Sequence, residues 1–327
     1  MKRVKVKAVF LDRQSLDQGD LDFSCWQDVF EEVVYFDATD VTQVNARIAD
    51  ADVVISNKVM LNAATLQQAP KLKLILVSAT GTNNVDLQRA TAQQIVVCNC
   101  QAYGTAAVAQ HTLMLMLNLA TSFLSYQQAV QQGQWQQAQQ FCLLNYPIAE
   151  LNGRTLGILG YGELGQAVAR LADAFGMQVQ VGQLPGRPLQ SGRVNLDTLL
   201  ATSDFISLHC PLTDLTRDLI DAAAFAKMKP SAFLINCARG GIVNEQALAD
   251  ALRDQRIAGA ATDVLSVEPP QRGNILLDPT LPNLIITPHS AWGSVEARQR
   301  IVQQVMENAR AFIQGQPIRQ VNATPSS

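Results

Sequence analysis

Neither sign of charge dominates this chain, and no long run of like charge interrupts it: 25 Lys and Arg stand against 28 Asp and Glu, a net charge of −3. That balance leaves no basic footprint for nucleic acid and points to a small-molecule ligand instead. Long apolar runs are lacking as well. None reaches the ~18 residues of a membrane span, and the nearest, Leu113 to Leu124, is interrupted by Asn118, Thr121 and Ser122. The start, MKRVKVKAVFLD, has too short an apolar part for a signal peptide and alternates like a strand. Together these absences predict a cytoplasmic protein with no membrane partner. Cysteine is sparse: six, at 25, 98, 100, 142, 210 and 237, with no C-x-x-C pair and no Cys/His spacing suited to a metal. Reduced thiols and no bound metal are expected, even at Cys98-Asn99-Cys100, which ends an apolar run with no further ligands close by. Histidine is scarcest, with only His111, His209 and His289. Any imidazole chemistry therefore has few candidates.

What is present is a repeating pattern of short β-rich runs and helical stretches, in a 327-residue chain that is 48% apolar and long enough for about two domains. The runs fall into two sets: Val4–Phe10, Val33–Phe36, Val53–Ser56, Leu74–Val77 and Ile95–Val97 before residue 100, then Thr155–Leu159, Gln178–Val181, Phe205–Leu208, Ala232–Asn236, Gly259–Thr262 and Leu284–Thr287. Alternation of this kind predicts parallel α/β architecture, with two sheets. Between the sets lie an apolar helical stretch from Ala106 and the glutamine-rich QQAVQQGQWQQAQQ, read as a solvated face or arm; the apolar helix is a candidate dimer surface or core. A last helical pattern, Ser294 to Ile313, has no strand after it and can return to the first sheet. The expected organisation is a nucleotide domain, 101–290, inserted into a substrate domain made of 1–100 and 291–327.

The strongest local signal is Thr155 to Ala169, TLGILGYGELGQAVA, where an apolar strand runs into Gly160-Tyr161-Gly162-Glu163-Leu164-Gly165 and leaves as a helix. A lone G-x-G-x-x-G says little; between a strand and a helix each glycine has a task. Gly160 makes the tight turn, Gly162 lets backbone approach a pyrophosphate, and Gly165 lets helix and strand pack closely. The phosphates are expected at the helix N-terminus.

Hydride exchange with a 2-hydroxy acid requires, besides a dinucleotide, a cation for the carboxylate, a proton donor for the carbonyl oxygen and a group that tunes the donor. Strand exits offer all three. Arg239, in Cys237-Ala238-Arg239-Gly240-Gly241, can clamp a carboxylate bidentately at the edge where open α/β sheets bind ligands. His289, in Pro288-His289-Ser290, is the favoured donor, since His111 opens an apolar helix and His209 precedes Cys210-Pro211 as a backbone-shaping residue. Glu268, fixed by Pro269 and Pro270, is its expected partner, because a carboxylate beside an imidazole favours the protonated ring. Without that carboxylate, activity is expected to fail first at high pH.

The segments ILGYGELG, LHCPLTDLTRDLI, INCARGGIVNEQAL, ATDVLSVEPP and ITPHSAWGS, in this order and across nearly the whole chain, resemble the D-isomer-specific 2-hydroxyacid dehydrogenase family. The resemblance implies a Rossmann-type doubly wound sheet inserted into a flavodoxin-like α/β domain, with Arg239, Glu268 and His289 as the catalytic residues. VSATGTNNVDL resembles the family's substrate loop, with the Thr80 and Gly81 amides on the carboxylate. ATGTNNVD, Asn57-Lys58-Val59 and YGTAAVAQH are similar to the glycerate dehydrogenase (hydroxypyruvate reductase) branch, which places Lys58 at the substrate. The implied cofactor contacts are Thr105 and Val108 near the nicotinamide, the Glu163 and Leu164 amides on the pyrophosphate, Cys210 and Pro211 along the adenosine, Cys237 to Arg239 (through Ala238) beneath the ring, and Asp263 on the carboxamide. A homodimer is implied too. The family also contains D-lactate and phosphoglycerate enzymes and dinucleotide-sensing corepressors, and these stand as alternatives.

One departure concerns cofactor choice. Where an NAD site presents an acidic residue to the ribose 2′-hydroxyl, this chain has Gly182-Gln183-Leu184-Pro185-Gly186-Arg187. Gln183 does not repel a 2′-phosphate and Arg187 can attract one, so NADP is open; a ribose hydroxyl bonded by Gln183 tips the reading toward NAD.

Overall fold

The computed structural model describes residues 6–188 and 190–322. The strands are β1 (Lys7–Phe10), β2 (Glu32–Tyr35), β3 (Val53–Ser56), β4 (Leu74–Val77), β5 (Val96–Cys98), β6 (Thr155–Leu159), β7 (Gln178–Gly182), β8 (Arg193–Val194), β9 (Phe205–Leu208), β10 (Phe233–Asn236), β11 (Gly259–Thr262) and β12 (Leu284–Ile286). The helices are α1 (Val44–Ile48), α2 (Ala63–Gln67), α3 (Leu87–Ala92), α4 (Thr105–Thr121), α5 (Phe123–Gln131), α6 (Glu163–Ala174), α7 (Leu196–Thr202), α8 (Ala222–Lys227), α9 (Glu245–Arg253) and α10 (Val295–Ile313). Of the expected first strand, Val4 and Lys5 lie outside the described residues.

Two compact units result. One is built from the chain up to Gly104 and from Gly293 onward, the other from Thr105–Trp292. In the first, a fully parallel sheet has the order β2-β1-β3-β4-β5, the flavodoxin-like arrangement. Its central strands, VVIS and LILV, are buried along their whole length, which is why they read as continuous apolar runs rather than alternating ones. The last helix returns to this unit: Ile301, Val302, Val305 and Ala309 of α10 are buried, and Trp26 donates its indole N–H to Val302 O at 2.9 Å.

The second unit carries a parallel sheet of order β12-β11-β10-β9-β6-β7-β8. This is the doubly wound Rossmann order with a further strand at one edge, and its order reverses between β6 and β9. One face of the sheet packs Leu156, Ile158, Phe205 and Ile235 against α4 and α6; the other packs Leu159, Ile206, Leu208 and Leu234 among residues of α7, α8 and α9. Local signals set the helix starts: Asn62, Asp86, Asn195, Asp221, Asn244 and Ser294 each accept the backbone N–H three residues on.

The apolar stretch from Ala106 does not continue as one helix. Ser122 adopts φ 50°, a left-handed conformation, and α4 and α5 diverge by 63°. No single described helix is long and apolar enough to cross a membrane. Val108, Ala109, Thr112, Leu115, Met116 and Leu119 of α4 are buried, so this helix is core, and the exposed apolar surface lies after it. There Phe123 and Leu124 are about half exposed, Leu144 is 75% exposed and Phe141 89%.

Candidate active site

The turn after β6 lies against the exit of β9. Gly160 has φ +97°, and a Cβ there would stand 2.4 Å from the His209 carbonyl carbon and the Cys210 amide nitrogen, so only glycine fits. Gly165 is equally confined, since its Cβ would meet the Gly160 oxygen at 2.1 Å. Gly162 is the opposite case. A Cβ there meets nothing within 4 Å, so the backbone entering α6 through Glu163 and Leu164 is open to a ligand, and the first amides of any helix lack partners within it. These features suit a dinucleotide pyrophosphate. The Glu163 carboxylate accepts the Thr105 hydroxyl at 2.7 Å, tying the start of α4 to that of α6. Val108, one turn along α4, is buried.

His209 lies behind this turn. Its Nε2 is 2.8 Å from Ser207 Oγ, its Nδ1 is buried with no partner among the described residues, and burial pushes the ring down to about 4. The folded protein therefore keeps it neutral where the unfolded chain, with an ordinary imidazole near 6.5, takes up a proton. The contribution of this group to stability is fully present above ~6.5 and is lost as pH drops toward ~4, with an expected loss of about 2 kcal/mol at pH 5. Urea midpoints at pH 7 and pH 5 should converge in His209→Gln relative to the unaltered chain; an unchanged difference would remove His209 as the cause. The neighbouring thiols are inert for a similar reason: burial lifts Cys210 to about 11 and Cys237 to about 12.

Gln183, at the end of β7, is engaged with its own loop. Its Nε2 donates to Leu184 O and Arg187 O at 3.3 Å, and its Oε1 accepts Gln190 N at 3.1 Å. The Arg187 side chain is exposed, as is Pro211.

The exits of β10, β11 and β12 carry the remaining polar groups. After β10, Asn236 Oδ1 accepts Ala238 N and its Nδ2 donates to Arg239 O, both at 3.0 Å, which turns the exposed Arg239 side chain out of the strand. Gly240 then lies flush on the next segment: a Cβ there would be 1.8 Å from Leu265 O and 2.6 Å from Ser266 N. That segment carries Glu268, whose Oε1 accepts Leu265 N at 2.7 Å and whose Oε2 lies 2.6 Å from His289 Nδ1. An imidazole held by a carboxylate at Nδ1 presents Nε2 as its other functional nitrogen. His289 itself has φ 52°, uncommon outside glycine and a mark of a residue held in place by its surroundings.

Asp263 supplies that hold. Nearly fully buried, it accepts Ser290 N at 2.9 Å on Oδ1 and Ala291 N at 3.0 Å on Oδ2, the two amides that follow His289. Thr287 Oγ1 also donates to Oδ1, at 2.5 Å. With the hydroxyl proton so engaged, His111 Nε2, 3.0 Å from Thr287 Oγ1, must be the donor in that bond. His111 and Asp263, far apart in sequence, thus buttress the turn that bears His289.

Of the other sequence candidates, Lys58, Thr80 and Gly81 belong to the first unit. The Lys58 amide donates to buried Asp12 at 2.7 Å, and its side chain lines a cavity of about 650 Å³ with Asp12, Gln14, Ser15, Asp37 and Thr39, at the carboxyl ends of β1, β2 and β3. Thr80 is exposed, and its carbonyl accepts Asn99 Nδ2 at 2.7 Å.

A doubly wound sheet with a glycine turn at its switch point, and a carboxylate-paired imidazole carried by the exits of β11 and β12 on the same sheet, fits a nicotinamide-dinucleotide oxidoreductase. The chain belongs to the D-isomer specific 2-hydroxyacid dehydrogenase family, whose NAD-binding-domain profile matches residues 113–291. It is 45% identical over 317 residues to a glycerate dehydrogenase of Methylorubrum extorquens, covering 97% of this chain and 99% of that one. It is 37% identical over 323 residues to a hydroxypyruvate reductase of Blautia hydrogenotrophica, covering 97% and 100%. An NADPH-dependent glyoxylate/hydroxypyruvate reductase from Sinorhizobium meliloti superposes with a TM-score of 0.82 at 28% identity, covering 98% of this chain and 99% of that one. The protein is accordingly a hydroxyacid oxidoreductase that uses a nicotinamide dinucleotide.

Proposed function

We propose that the protein reduces hydroxypyruvate to D-glycerate, or glyoxylate to glycolate, with His289 as the acid. The observation that carries this reading is the 2.6 Å pair of His289 Nδ1 and Glu268 Oε2, from the exits of β12 and β11, with the Arg239 turn at the exit of β10 beside β11. The bound dinucleotide supplies the hydride that reaches C2. Arg239 holds the substrate carboxylate through its forked N–H groups, and His289 delivers a proton from Nε2 to the carbonyl oxygen, which becomes the hydroxyl. Glu268 orients the ring through its contact with Nδ1. The same reading assigns the Thr80 and Gly81 amides and Lys58 to the substrate.

For the cofactor we favour NAD. The Arg187 guanidinium is one cation where a phosphate clamp commonly has more, while Gln183, neutral and engaged in its own loop, leaves NADP a weaker second. A spectrophotometric screen of 2-oxo acids with NADH and NADPH tests both assignments: the highest kcat/KM is expected with hydroxypyruvate and NADH. Turnover of pyruvate or 3-phosphohydroxypyruvate in place of hydroxypyruvate, or a preference for NADPH, overturns the respective part.

We further assign a homodimer. Phe123, Leu124, Trp135, Phe141, Leu144 and Ile148 are all more than half exposed, a concentration of large apolar side chains that a second copy of the chain would cover. Sedimentation at twice the chain mass is the expected result, and a monomer at micromolar concentration removes the assignment.

A further inference from the structure

We propose that Glu245 is a positioning residue for the proton donor, acting through the segment that carries Glu268. Glu245 is the first residue of α9. A carboxylate there ordinarily serves its own helix, but Asn244 already caps α9 by accepting Ala247 N at 2.9 Å. The Glu245 carboxylate instead reaches across the chain. Oε1 accepts the Ser266 backbone N–H at 2.7 Å; Oε2 accepts Ser266 Oγ at 2.7 Å and Asn274 Nδ2 at 2.8 Å.

These bonds fix Ser266 on one side, and Gly240 closes on Leu265 and Ser266 from the other. The adjoining residue, Leu265, gives its N–H to Glu268 Oε1, and Glu268 Oε2 meets His289. Every hydrogen-bonded link from Glu245 to the imidazole is 2.6–2.7 Å long. Ser266, Val267 and Glu268 are otherwise exposed, so the clamp on Ser266 is what gives an exposed loop a defined place for the carboxylate. Glu245 opens the helix that follows the Arg239 turn, and Gly240 of that turn abuts Leu265 and Ser266, so the exits of β10 and β11 are packed together at the segment Glu245 holds.

This inference rests on His289 as the acid, and a mutant cycle separates the two. In the intact protein, Glu245→Ala should lower kcat at least ~10-fold, since displacement of a catalytic group by an ångström carries penalties of that size or more. Dinucleotide affinity, read by fluorescence quenching, should stay within about twofold, and the isotope effect with deuterated dinucleotide should rise because the chemical step becomes slower than its neighbours. A purely structural defect would lower the amount of active enzyme and leave the isotope effect in place.

In a Glu268→Gln background, Glu245→Ala should add little, because both act on one imidazole. Gln at 245 turns one acceptor into a donor facing Asn274. Glu245→Gln should therefore lose activity, and Glu245→Gln with Asn274→Asp should regain it by exchanging donor and acceptor. That pair also carries the test if the alanine variant fails to fold. Additive losses in the Glu268→Gln background, or no recovery in the exchanged pair, overturn the role of Glu245. Full turnover by Glu268→Gln and His289→Ala would instead overturn the reading of the acid itself.

Discussion

Turnover by a His289→Ala variant is expected to fall at least ~100-fold with dinucleotide affinity unchanged, the low end of the contribution made by a positioned general acid. The imidazole has two separable properties in this fold. One is chemical: Nδ1 is engaged by Glu268 at 2.6 Å, leaving Nε2 to carry the transferable proton. The other is conformational, because the residue occupies φ 52° between Thr287 and the Asp263-bound amides of Ser290 and Ala291. Alanine removes the ring and is also less at ease with a left-handed backbone, by roughly 1 kcal/mol. Asparagine tolerates that conformation, so His289→Asn separates the two. Equal loss in both variants, measured as kcat at saturating substrate, assigns the effect to the ring. Near-normal turnover by the asparagine variant would sink the assignment of His289 as the acid.

How much of this was legible in the sequence depends on distance along the chain. Strands such as Val53–Ser56 and Leu74–Val77 announce themselves because both faces are buried, so every position is apolar. The glycine turn was legible because Gly160, Gly162 and Gly165 stand between such a strand and a helix. Arg-Gly-Gly, Glu-Pro-Pro and Pro-His were legible as strand exits. β8, only Arg193–Val194, has no apolar run to betray it, and the break at Ser122 depends on one left-handed residue inside an otherwise helical pattern.

The supporting contacts were hidden for a different reason. His111 meets Thr287 across 176 residues and Glu245 meets Ser266 across 21, and no periodicity records which polar side chains face each other after folding. Gly240 gave a faint signal as the first of two glycines after Arg239, yet its cause, the Leu265 carbonyl 1.8 Å from any Cβ, belongs to another strand exit. Gln183 shows the same limit. Its position after β7 marks it as a ribose-facing residue, while its amide is used to close its own loop.

Replacing Arg239 by leucine should lower kcat/KM for the 2-oxo acid by ~10²–10³-fold, the scale of losing a preorganised charged donor set. The backbone around Arg239 is fixed independently of its side chain, because Asn236 holds both Ala238 N and Arg239 O, and Gly240 abuts Leu265. Among the described residues, the guanidinium's hydrogen bond runs from Nη1 to Ala238 O at 2.7 Å. Truncation is therefore expected to leave Tm and dinucleotide affinity little changed, which isolates the loss to the substrate. Lysine keeps the charge without the planar fork, so Arg239→Lys should recover part of the loss, with KM remaining high. Where the arginine only anchors the ground state, KM rises and kcat holds; where it also aligns the carbonyl for hydride transfer, both suffer. The position of Arg239, in a turn whose Gly240 abuts the segment that carries Glu268, favours the second outcome. A leucine variant with kcat/KM within about twofold of the parent, in steady-state assays, would show that another cation holds the carboxylate.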